Sequence, residues 1–294
     1  MIITITFNPA IDLSITNDEK VFDIGGKGIN VSKVLKSLDC DSLALGFVGK
    51  DNKNLVVEKL DQLDIEHDFI EVDGKVRTNT KYIIDKKLIE KNEDGPFIPY
   101  DKIDELMDKL QSFNNEIVVI SGSAPSNVRR SIYREIIDLL KKNNNYVILD
   151  CDKDLLRNGI EAIPDMIKPN RKEISELFDD NYDEKHIISE VRKTGIPLTV
   201  ISKGSQGALF IYQDEVYESE ALQVRYVSAL SAGDAMVAAA AFAKNNGYNR
   251  TETIKLMMAA ASASVETKGS KAPNYDRIKE LMKEVTIRKI SKFD

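Results

Sequence analysis

The sequence predicts an α/β fold in which helices cover both faces of a mostly parallel sheet. Short apolar runs such as Ile117–Ser121 and Leu198–Ser202 contain few polar positions, which is typical of parallel strands buried on both faces. Helical stretches separate these runs and carry apolar residues three and four positions apart. This alternation of buried strands and amphipathic helices favours a three-layer α/β/α core.

The spacing of apolar side chains along the sequence predicts the individual strands and helices. Residues 2–7 alternate apolar and Thr side chains, as a strand with two different faces does. Residues 30–38 place their apolar side chains on one side of a helix. Between about 68 and 100, short and polar-rich strand-like pieces predict a half-exposed lid. The remaining predictions are a helical stretch after Asp101, a helix near 129–142, strands at 146–150 and 166–168, a hairpin at 207–217, and closing helices after Gly233 and at about 251–267.

Composition narrows the classes of function. The chain has 294 residues, 42% of them hydrophobic and 30% charged, which fits one globular domain with a sizeable core. Its net charge of −7 makes nucleic acids and anionic membranes unfavourable partners. There are two cysteines without a CxxC pair, no basic leader and no run of 18 apolar residues, so we expect a cytoplasmic protein. Two distant histidines argue against a histidine-based triad or metal cluster.

The most informative segment is Ser231-Ala232-Gly233-Asp234, which leads into an Ala-rich helix. Small residues at a helix start let backbone amides approach a phosphate, and the helix dipole favours negative charge there. Asp234, in that first turn, can accept the proton of a hydroxyl that attacks a phosphoryl group. The alternative interpretation is an ordinary helix cap by Ser or Asp.

Two segments near the N-terminus could bind a sugar. Residues 25–30 contain three glycines that allow close approach of a ligand, Lys27 with a positive charge, and Asn30 with an amide for hydroxyl groups. Asp12 follows the first strand and could bind paired hydroxyls. A plain Gly-rich loop and a plain turn residue are the respective alternatives.

Two later segments follow predicted strands, which is where open α/β sheets bind their ligands. Asn170 and Glu173 have an N-x-x-E spacing, which fits either a helix capping box or the ligands of a hydrated Mg²⁺. Residues 202–207 could surround a nucleotide, and a tight turn explains them equally well.

Cationic and amide side chains repeat along the predicted lid. Arg77, Asn79 and Lys81 alternate along one strand, so their side chains share a face. Cations on one face suit a phosphate ligand. An exposed edge strand guarded by charge predicts the same pattern.

In this order the segments resemble the PfkB (ribokinase-like) carbohydrate kinases, within them the 1-phosphofructokinase and tagatose-6-phosphate kinase branch. The resemblance spans nearly the whole chain. It rests on the opening Thr6-Phe7-Asn8-Pro9-Ala10-Ile11-Asp12, the sugar-side Gly25-Gly26-Lys27-Gly28-Ile29-Asn30-Val31, the lid residues Arg77, Asn79 and Lys81, the turn Ser121-Gly122-Ser123-Ala124-Pro125, Lys168-Pro169-Asn170 with Glu173, and Ala232-Gly233-Asp234 in place of a Gly-Ala-Gly-Asp signature.

The resemblance implies a single kinase domain over residues 1–294. Its fold would be a ribokinase-like three-layer α/β/α core with a mostly parallel sheet and a small β-sheet lid, formed by segments at about 12–24 and 68–100. Its activity would be phosphorylation of fructose 1-phosphate to fructose 1,6-bisphosphate with ATP and Mg²⁺. Tagatose 6-phosphate as the acceptor, or binding of a sugar phosphate or nucleotide without catalysis, are the alternatives. Family members often pair through the lid, so a homodimer is compatible with the resemblance.

The resemblance also implies a role for each matching residue. Asp234 would be the base, and the amides around Ala232 and Gly233 the anion hole. The residues implied on the sugar side are Asp12, Gly26, Lys27, Asn30, Arg77, Asn79 and Lys81. Those implied near ATP are Lys168, Asn170, Ser202, Lys203, Gly204, Ser205, Gln206, Gly207 and Gly233, while Asn170 and Glu173 would organise Mg²⁺ through water.

The chain departs from the family pattern at three places. Ser231 replaces the first glycine of the anion-hole motif, where a positive φ would be strained and a hydroxyl would lie near the phosphates. Lys203 stands where an apolar residue is usual, so it would contact a phosphate or be solvated. Only 12 residues separate Asp12 from Gly25, which predicts a shortened lid. A kinase of unphosphorylated sugars or nucleosides is disfavoured, because it would not need the cations of Arg77 and Lys81.

Overall fold

The computed structural model of the chain describes residues 1–16, 20–84, 87–178 and 182–290. Its strands are β1 Ile2–Thr6, β2 Ala10–Thr16, β3 Lys20–Gly25, β4 Ser42–Gly49, β5 Glu66–Val72, β6 Arg77–Ile84, β7 Lys87–Asn92, β8 Ile117–Ser121, β9 Tyr146–Asp150, β10 Met166–Ile167, β11 Leu198–Ser202, β12 Ala208–Tyr212, β13 Val216–Ser219 and β14 Arg288–Ile290. Its helices are α1 Lys27–Ser37, α2 Asn54–Gln62, α3 Tyr100–Gln111, α4 Ile132–Lys142, α5 Lys153–Gly159, α6 Arg171–Phe178, α7 Glu184–Lys193, α8 Ala232–Asn245, α9 Arg250–Val265 and α10 Tyr275–Met282.

A large sheet forms the centre of the molecule. Among the described residues it has ten strands, in the order β14-β13-β12-β11-β10-β9-β8-β1-β4-β5. The strands from β5 to β11 in this order are parallel, and β12, β13 and β14 extend the sheet in antiparallel pairing. The carboxyl ends of all the parallel strands therefore lie at one edge of the sheet, called the carboxyl edge below.

Helices pack on both faces of this sheet, which confirms the α/β/α prediction. One hydrophobic core joins the sheet to α3 through α7, with Leu106 and Ile136 among its fully buried residues. The other core joins it to α1, α8, α9 and α10 through residues such as Val34 and Val237. Because both faces are covered, Thr4 is fully buried, and its hydroxyl is bonded to Ser32 Oγ at 2.8 Å. The two faces of the first strand differ as predicted, and the Thr-bearing face is buried as well.

A separate small sheet forms the lid. Among the described residues it consists of β3, β2, β6 and β7, in that order, with β2 parallel to β6. The shortened segment after Asp12 still supplies a paired hairpin, β2 and β3. The lid prediction was wrong for residues 69–72, since β5 pairs with β4 in the large sheet. As the last strand of that sheet, β5 buries Ile70 and Val72 but exposes alternate residues, which produced a lid-like polar pattern.

Two boundaries also differ from the sequence prediction. Helix α1 begins at Lys27, because small and polar residues continue the helix before its apolar face starts. The Ala-rich helices α8 and α9 are present but do not close the chain, since α10 and the edge strand β14 follow them. In the part of the chain that the structure describes, no helix combines the length and apolar character needed to cross a bilayer.

Candidate active site

Five parallel strands deliver polar residues to the carboxyl edge. Asn8 follows β1, Ser121 ends β8, Asp150 ends β9, Lys168 follows β10, and Ser202 ends β11. Each of these strands pairs in parallel with its neighbour, so polar residues that are far apart in sequence lie side by side along this edge. The amino end of α8 and the lid strands β2 and β6 contribute the remaining side chains described below.

Asp234 lies in the first turn of α8 and is 5% exposed. Its Oδ2 accepts a hydrogen bond of 2.8 Å from Asn30 Nδ2, which projects from α1. The N-cap position belongs to Ser231, whose side chain makes no capping bond. The helix-cap interpretation of this segment therefore does not hold for either residue, and Asp234 is held by a second helix instead.

The carboxyl of Asp234 is poised to take up a proton near neutral pH. Burial raises its pKa to about 6, and the charge of Asp150 acts in the same direction. The positive charges of Lys27 and Lys168 and the bond from Asn30 partly oppose that rise. A carboxylate with this pKa is a stronger base than an exposed aspartate and is still ionised at pH 7.

Asp150 lies between two lysines and was missed by the sequence predictions. Its Oδ1 is 3.3 Å from Lys27 Nζ and 3.4 Å from Lys168 Nζ, while the residue is 1% exposed. Burial alone would raise the pKa of Asp150, but the two ammonium groups lower it below its ordinary value. The same carboxylate, with Asp234 and Glu173, outweighs the effect of burial on Lys27 and raises the pKa of that lysine. The group thus fixes two positive charges at the carboxyl edge.

Gly233 allows one of these charges to approach the amino end of α8. A Cβ atom at this position would lie 3.1 Å from Lys168 Nζ and 3.5 Å from its Cε. Since Lys168 is 5% exposed, its ammonium has little room to move away. The first-turn amides of α8 and this ammonium form a site suited to an anion.

A pocket of about 250 Å³ opens beside these groups. Its lining includes Asn8, Lys27, Arg77, Ser121, Ser123 and Glu173. Several buried polar atoms of this region have no hydrogen-bond partner among the described residues: Thr6 Oγ1, Asn8 Oδ1, Asn30 Oδ1, Arg77 Nε, Asn79 Oδ1, Ser121 Oγ and Asp150 Oδ2. Buried polar groups are normally paired, so their concentration here indicates a binding site for a polar ligand.

The lid contributes three of the predicted sugar-side residues to this region: Asp12, Arg77 and Asn79. Asn79 Nδ2 donates to Asp12 Oδ1 at 3.0 Å, because β2 and β6 pair in parallel with these residues side by side. Burial lowers the pKa of Arg77, although Asp12 and Asp94 act in the opposite direction. Lys81 occupies the expected register position opposite Ser14, and its side chain lies outside the described part of the structure. Gly26 is the N-cap residue of α1, directly before Lys27.

Asn170 and Glu173 form a capping box at the start of α6. Asn170 N donates to Glu173 Oε2 at 2.8 Å, and Glu173 N donates to Asn170 Oδ1 at 2.9 Å. Glu173 also lines the pocket. Among the described residues, no group of three or more His, Cys, Asp or Glu side chains could enclose a metal ion. The pair fits Mg²⁺ only in the mode that the ion commonly uses, with water and phosphate oxygens supplying most of its ligands.

The segment 202–207 forms a tight turn at the carboxyl edge. Ser202 N donates to Pro169 O at 3.0 Å, which ties this turn to the neighbouring capping box. Gly204, Ser205 and Gln206 form an exposed single turn of 3₁₀ helix, and Gly207 ends it. The ammonium of Lys203 is not solvated, since the residue is buried and pairs with Glu218 and, at 3.6 Å, with Glu184.

Ser231 adopts a backbone conformation without the strain that a positive φ would cause. Its φ is −110°, an ordinary value for any residue. Its hydroxyl lies 3.2 Å from Ser264 Oγ and 3.4 Å from Gly269 O, so the structure directs it into the protein. The strain that a positive φ would cause at Ser231 is therefore absent, and the hydroxyl is occupied by contacts inside the protein.

Comparison with known sequences identifies the family of this chain. The sequence model described as pfkB family carbohydrate kinase matches residues 1–277. The chain belongs to this family. It is 32% identical over 307 aligned positions to a 1-phosphofructokinase of Borreliella burgdorferi, covering 99% of each chain. It is 30% identical to a D-tagatose-1-phosphate kinase of Bacillus licheniformis, covering 92% of this chain and 94% of the other.

Solved structures of pfkB kinases and their relatives share the fold. A protein of Thermotoga maritima described as a possible 1-phosphofructokinase superposes with a TM-score of 0.88 at 25% identity, covering 99% of this chain and 100% of the other. A ribokinase of the same organism superposes with a TM-score of 0.79 at 19% identity, covering 96% of this chain and 99% of the other. The ribokinase-like fold predicted from the sequence is therefore confirmed.

Proposed function

We propose that this pfkB kinase transfers the γ-phosphoryl group of ATP to fructose 1-phosphate and forms fructose 1,6-bisphosphate. The observation that carries the proposal is the buried carboxylate of Asp234, held by Asn30 at the amino end of α8 and flanked by the Lys27 and Lys168 charges. The relatives named 1-phosphofructokinase support this choice of substrate.

Asp234 acts as the general base of the transfer. It accepts the proton of the acceptor hydroxyl while the hydroxyl oxygen attacks the γ-phosphorus, and the bond from that phosphorus to the bridging oxygen of ADP breaks. The amides at the start of α8 and the ammonium of Lys168 hold the negative charge of the group in transit. The main contribution of the protein is thus positioning and charge.

Asn30, Asp12 and Asn79 bind the sugar hydroxyls, and Arg77 and Lys27 bind the phosphate that the sugar already carries. Arg77 and Lys27 both line the pocket, which supplies two cations for one phosphate. Lys81 lies four residues after Arg77 on β6, and we assign it to the same phosphate site from the sequence pattern. Gly26 lets the sugar approach the start of α1.

ATP lies along the carboxyl edge between Lys168 and the turn 202–207, in this proposal. Asn170 and Glu173 would hold a hydrated Mg²⁺ through their side-chain oxygens, and the ion would supply positive charge to the phosphates of ATP. Lys203 helps only by fixing the turn, because its charge is already paired with Glu218.

The whole chain works as one kinase domain, with the lid closing over the sugar to exclude water. On the lid, Val21 and Phe22 of β3 are 45% and 41% exposed, which favours pairing of two lids in a homodimer. The two free cysteines fit a reducing cytoplasm.

A comparison of acceptors tests the proposed substrate. We expect kcat/KM with MgATP to be highest for fructose 1-phosphate, when compared with tagatose 6-phosphate, tagatose 1-phosphate and unphosphorylated fructose. A higher value for either tagatose phosphate would assign the protein to the alternative acceptor. A higher value for fructose itself would contradict the phosphate site.

The pH dependence of kcat should follow Asp234. Its raised pKa of about 6 means that the base is protonated, and inactive, below that pH. We therefore expect kcat to rise with pH through about 6 and then to level off, whereas a base with an ordinary aspartate pKa would stay active to about pH 4. The sugar phosphate titrates near pH 6 as well, so kcat is measured at saturating substrate at each pH. A flat kcat down to pH 5 would contradict a raised pKa of Asp234 in the substrate complex.

Arg77→Ala should weaken binding of the sugar phosphate. The loss of a charge-assisted contact is expected to raise Kd by about ten- to a hundredfold, measured by calorimetry with fructose 1-phosphate. Arg134→Ala is the matched control, because Arg134 lies on α4 and pairs with Glu161 at the surface. Unchanged affinity in Arg77→Ala would remove Arg77 from the phosphate site.

A further inference from the structure

The side chain of Asn52 holds the peptide group directly before Arg77. Asn52 Oδ1 accepts a bond of 2.7 Å from Val76 N, and Asn52 Nδ2 donates one of 3.2 Å to Val76 O. One amide side chain thus makes both hydrogen bonds that a neighbouring strand would make to that residue.

The position of Asn52 in sequence would suggest a different role. It precedes α2, and asparagine is a preferred helix cap. In the structure the N-cap of α2 is Lys53, and no side chain caps it. The backbone oxygen of Asn52 contacts the helix through Leu55 N at 3.1 Å, while its side chain is turned toward the lid.

The segment that Asn52 holds is the hinge, residues 72–76, which connects the large sheet to lid strand β6. Lys50 N donates to Val72 O at 2.9 Å, and Asp51 N donates to Gly74 O at 3.1 Å. At Gly49 the two backbones are so close that a Cβ atom would lie 2.5 Å from Val76 N. Asn52 completes this attachment at the lid end of the hinge.

Arg77 follows the hinge without a residue in between. It begins β6, lines the pocket, and has a buried Nε without a hydrogen-bond partner among the described residues. Val76 is 1% exposed, so its backbone and the start of Arg77 share one fixed environment. The hydrogen bonds of Asn52 therefore fix the backbone position from which the side chain of Arg77 extends.

We propose that Asn52 is a positioning residue for the phosphate group of the acceptor and acts through Arg77. It touches neither substrate, and its amide keeps Arg77 at the distance and angle that a phosphate needs. This inference rests on the proposed function, since it assigns the Arg77 side of the pocket to the sugar phosphate.

Asn52→Ala should raise the Kd for fructose 1-phosphate by a factor of about 3 to 10 and leave kcat at saturation within about twofold. Calorimetry gives the Kd without requiring turnover. Asn52→Asp keeps the acceptor for Val76 N but loses the donor to Val76 O. Its Kd should therefore lie between those of the parent protein and Asn52→Ala. Asn54→Ala, the same change at an exposed position two residues later, is the control and should leave Kd unchanged.

A double-mutant cycle with Arg77→Ala separates positioning from a general loss of structure. Once Arg77 is absent, Asn52→Ala should cause no further rise in Kd. Full additivity, or an unchanged Kd in Asn52→Ala alone, would overturn the inference while leaving the proposed function intact. An unchanged Kd in Arg77→Ala would overturn both the phosphate site and this inference.

Discussion

The Asp234→Asn variant should lose about a thousandfold in kcat and bind ATP about as tightly as the parent protein. Asparagine has nearly the same shape and can still contact Asn30, but it cannot accept the proton of the acceptor hydroxyl. The amides at the start of α8, which we propose contact the transferred group, are unchanged. The measurement is ADP release at saturating fructose 1-phosphate, together with calorimetric binding of MgATP.

The control for this variant is Asp276→Asn. Asp276 lies in the first turn of α10, as Asp234 does in α8, but it is exposed and pairs with Lys279 at 3.4 Å. The control should keep full turnover. If Asp234→Asn retained more than about a tenth of the parent kcat, general-base catalysis by this residue, which typically contributes 100-fold or more, would be contradicted.

The Lys168→Met variant should have the second largest effect. Methionine retains much of the buried packing, but the positive charge beside Gly233 is lost and Asp150 keeps only Lys27 as a partner. We expect kcat to fall about a hundredfold, because the charge of the group in transit loses one of its stabilising contacts. The KM for ATP should also rise.

Lys172→Met provides the matched control for Lys168→Met. Lys172 lies on α6 with its side chain 84% exposed, near Glu176 at 3.6 Å. Its removal should change neither kcat nor the KM for ATP. A loss in Lys168→Met that came only from unfolding would appear as a lower melting temperature with normal kcat in the folded fraction, and this result would contradict the charge role.

The fold could be predicted because its signals are local. Runs of apolar residues and the 3.6-residue period identified most of the core strands and helices in order, but they did not predict β4, the buried neighbour of β1, nor α2 and α7. The failures arose where tertiary position decides. β5 has a half-polar pattern because it is an edge strand of the large sheet, and its sequence does not say which sheet it joins. The capping box at Asn170 and Glu173 was foreseen as one of two alternatives, since both partners lie within four residues.

The parts of the candidate site that could not be predicted from sequence depend on contacts between residues far apart in the chain. Asp150 ends a strand that looks like any other core strand, and its pairing with Lys27 spans 123 positions. The signal that could have found it is an acidic residue at the carboxyl end of a predicted parallel strand, where ligands bind. Lys203 could not be assigned from sequence, because its partner Glu218 depends on how the hairpin β12 and β13 folds back.

We propose above that the site at the amino end of α8 transfers phosphate to a sugar phosphate. The most direct measurement follows ADP formation by folded protein with MgATP, with and without fructose 1-phosphate, and identifies the product by phosphorus NMR. We expect ADP to form at a rate on the order of 1–100 per second only when the sugar is present, with an equal amount of fructose 1,6-bisphosphate. Tight binding of sugar and nucleotide without any product would contradict this account and would identify a non-catalytic member of the family.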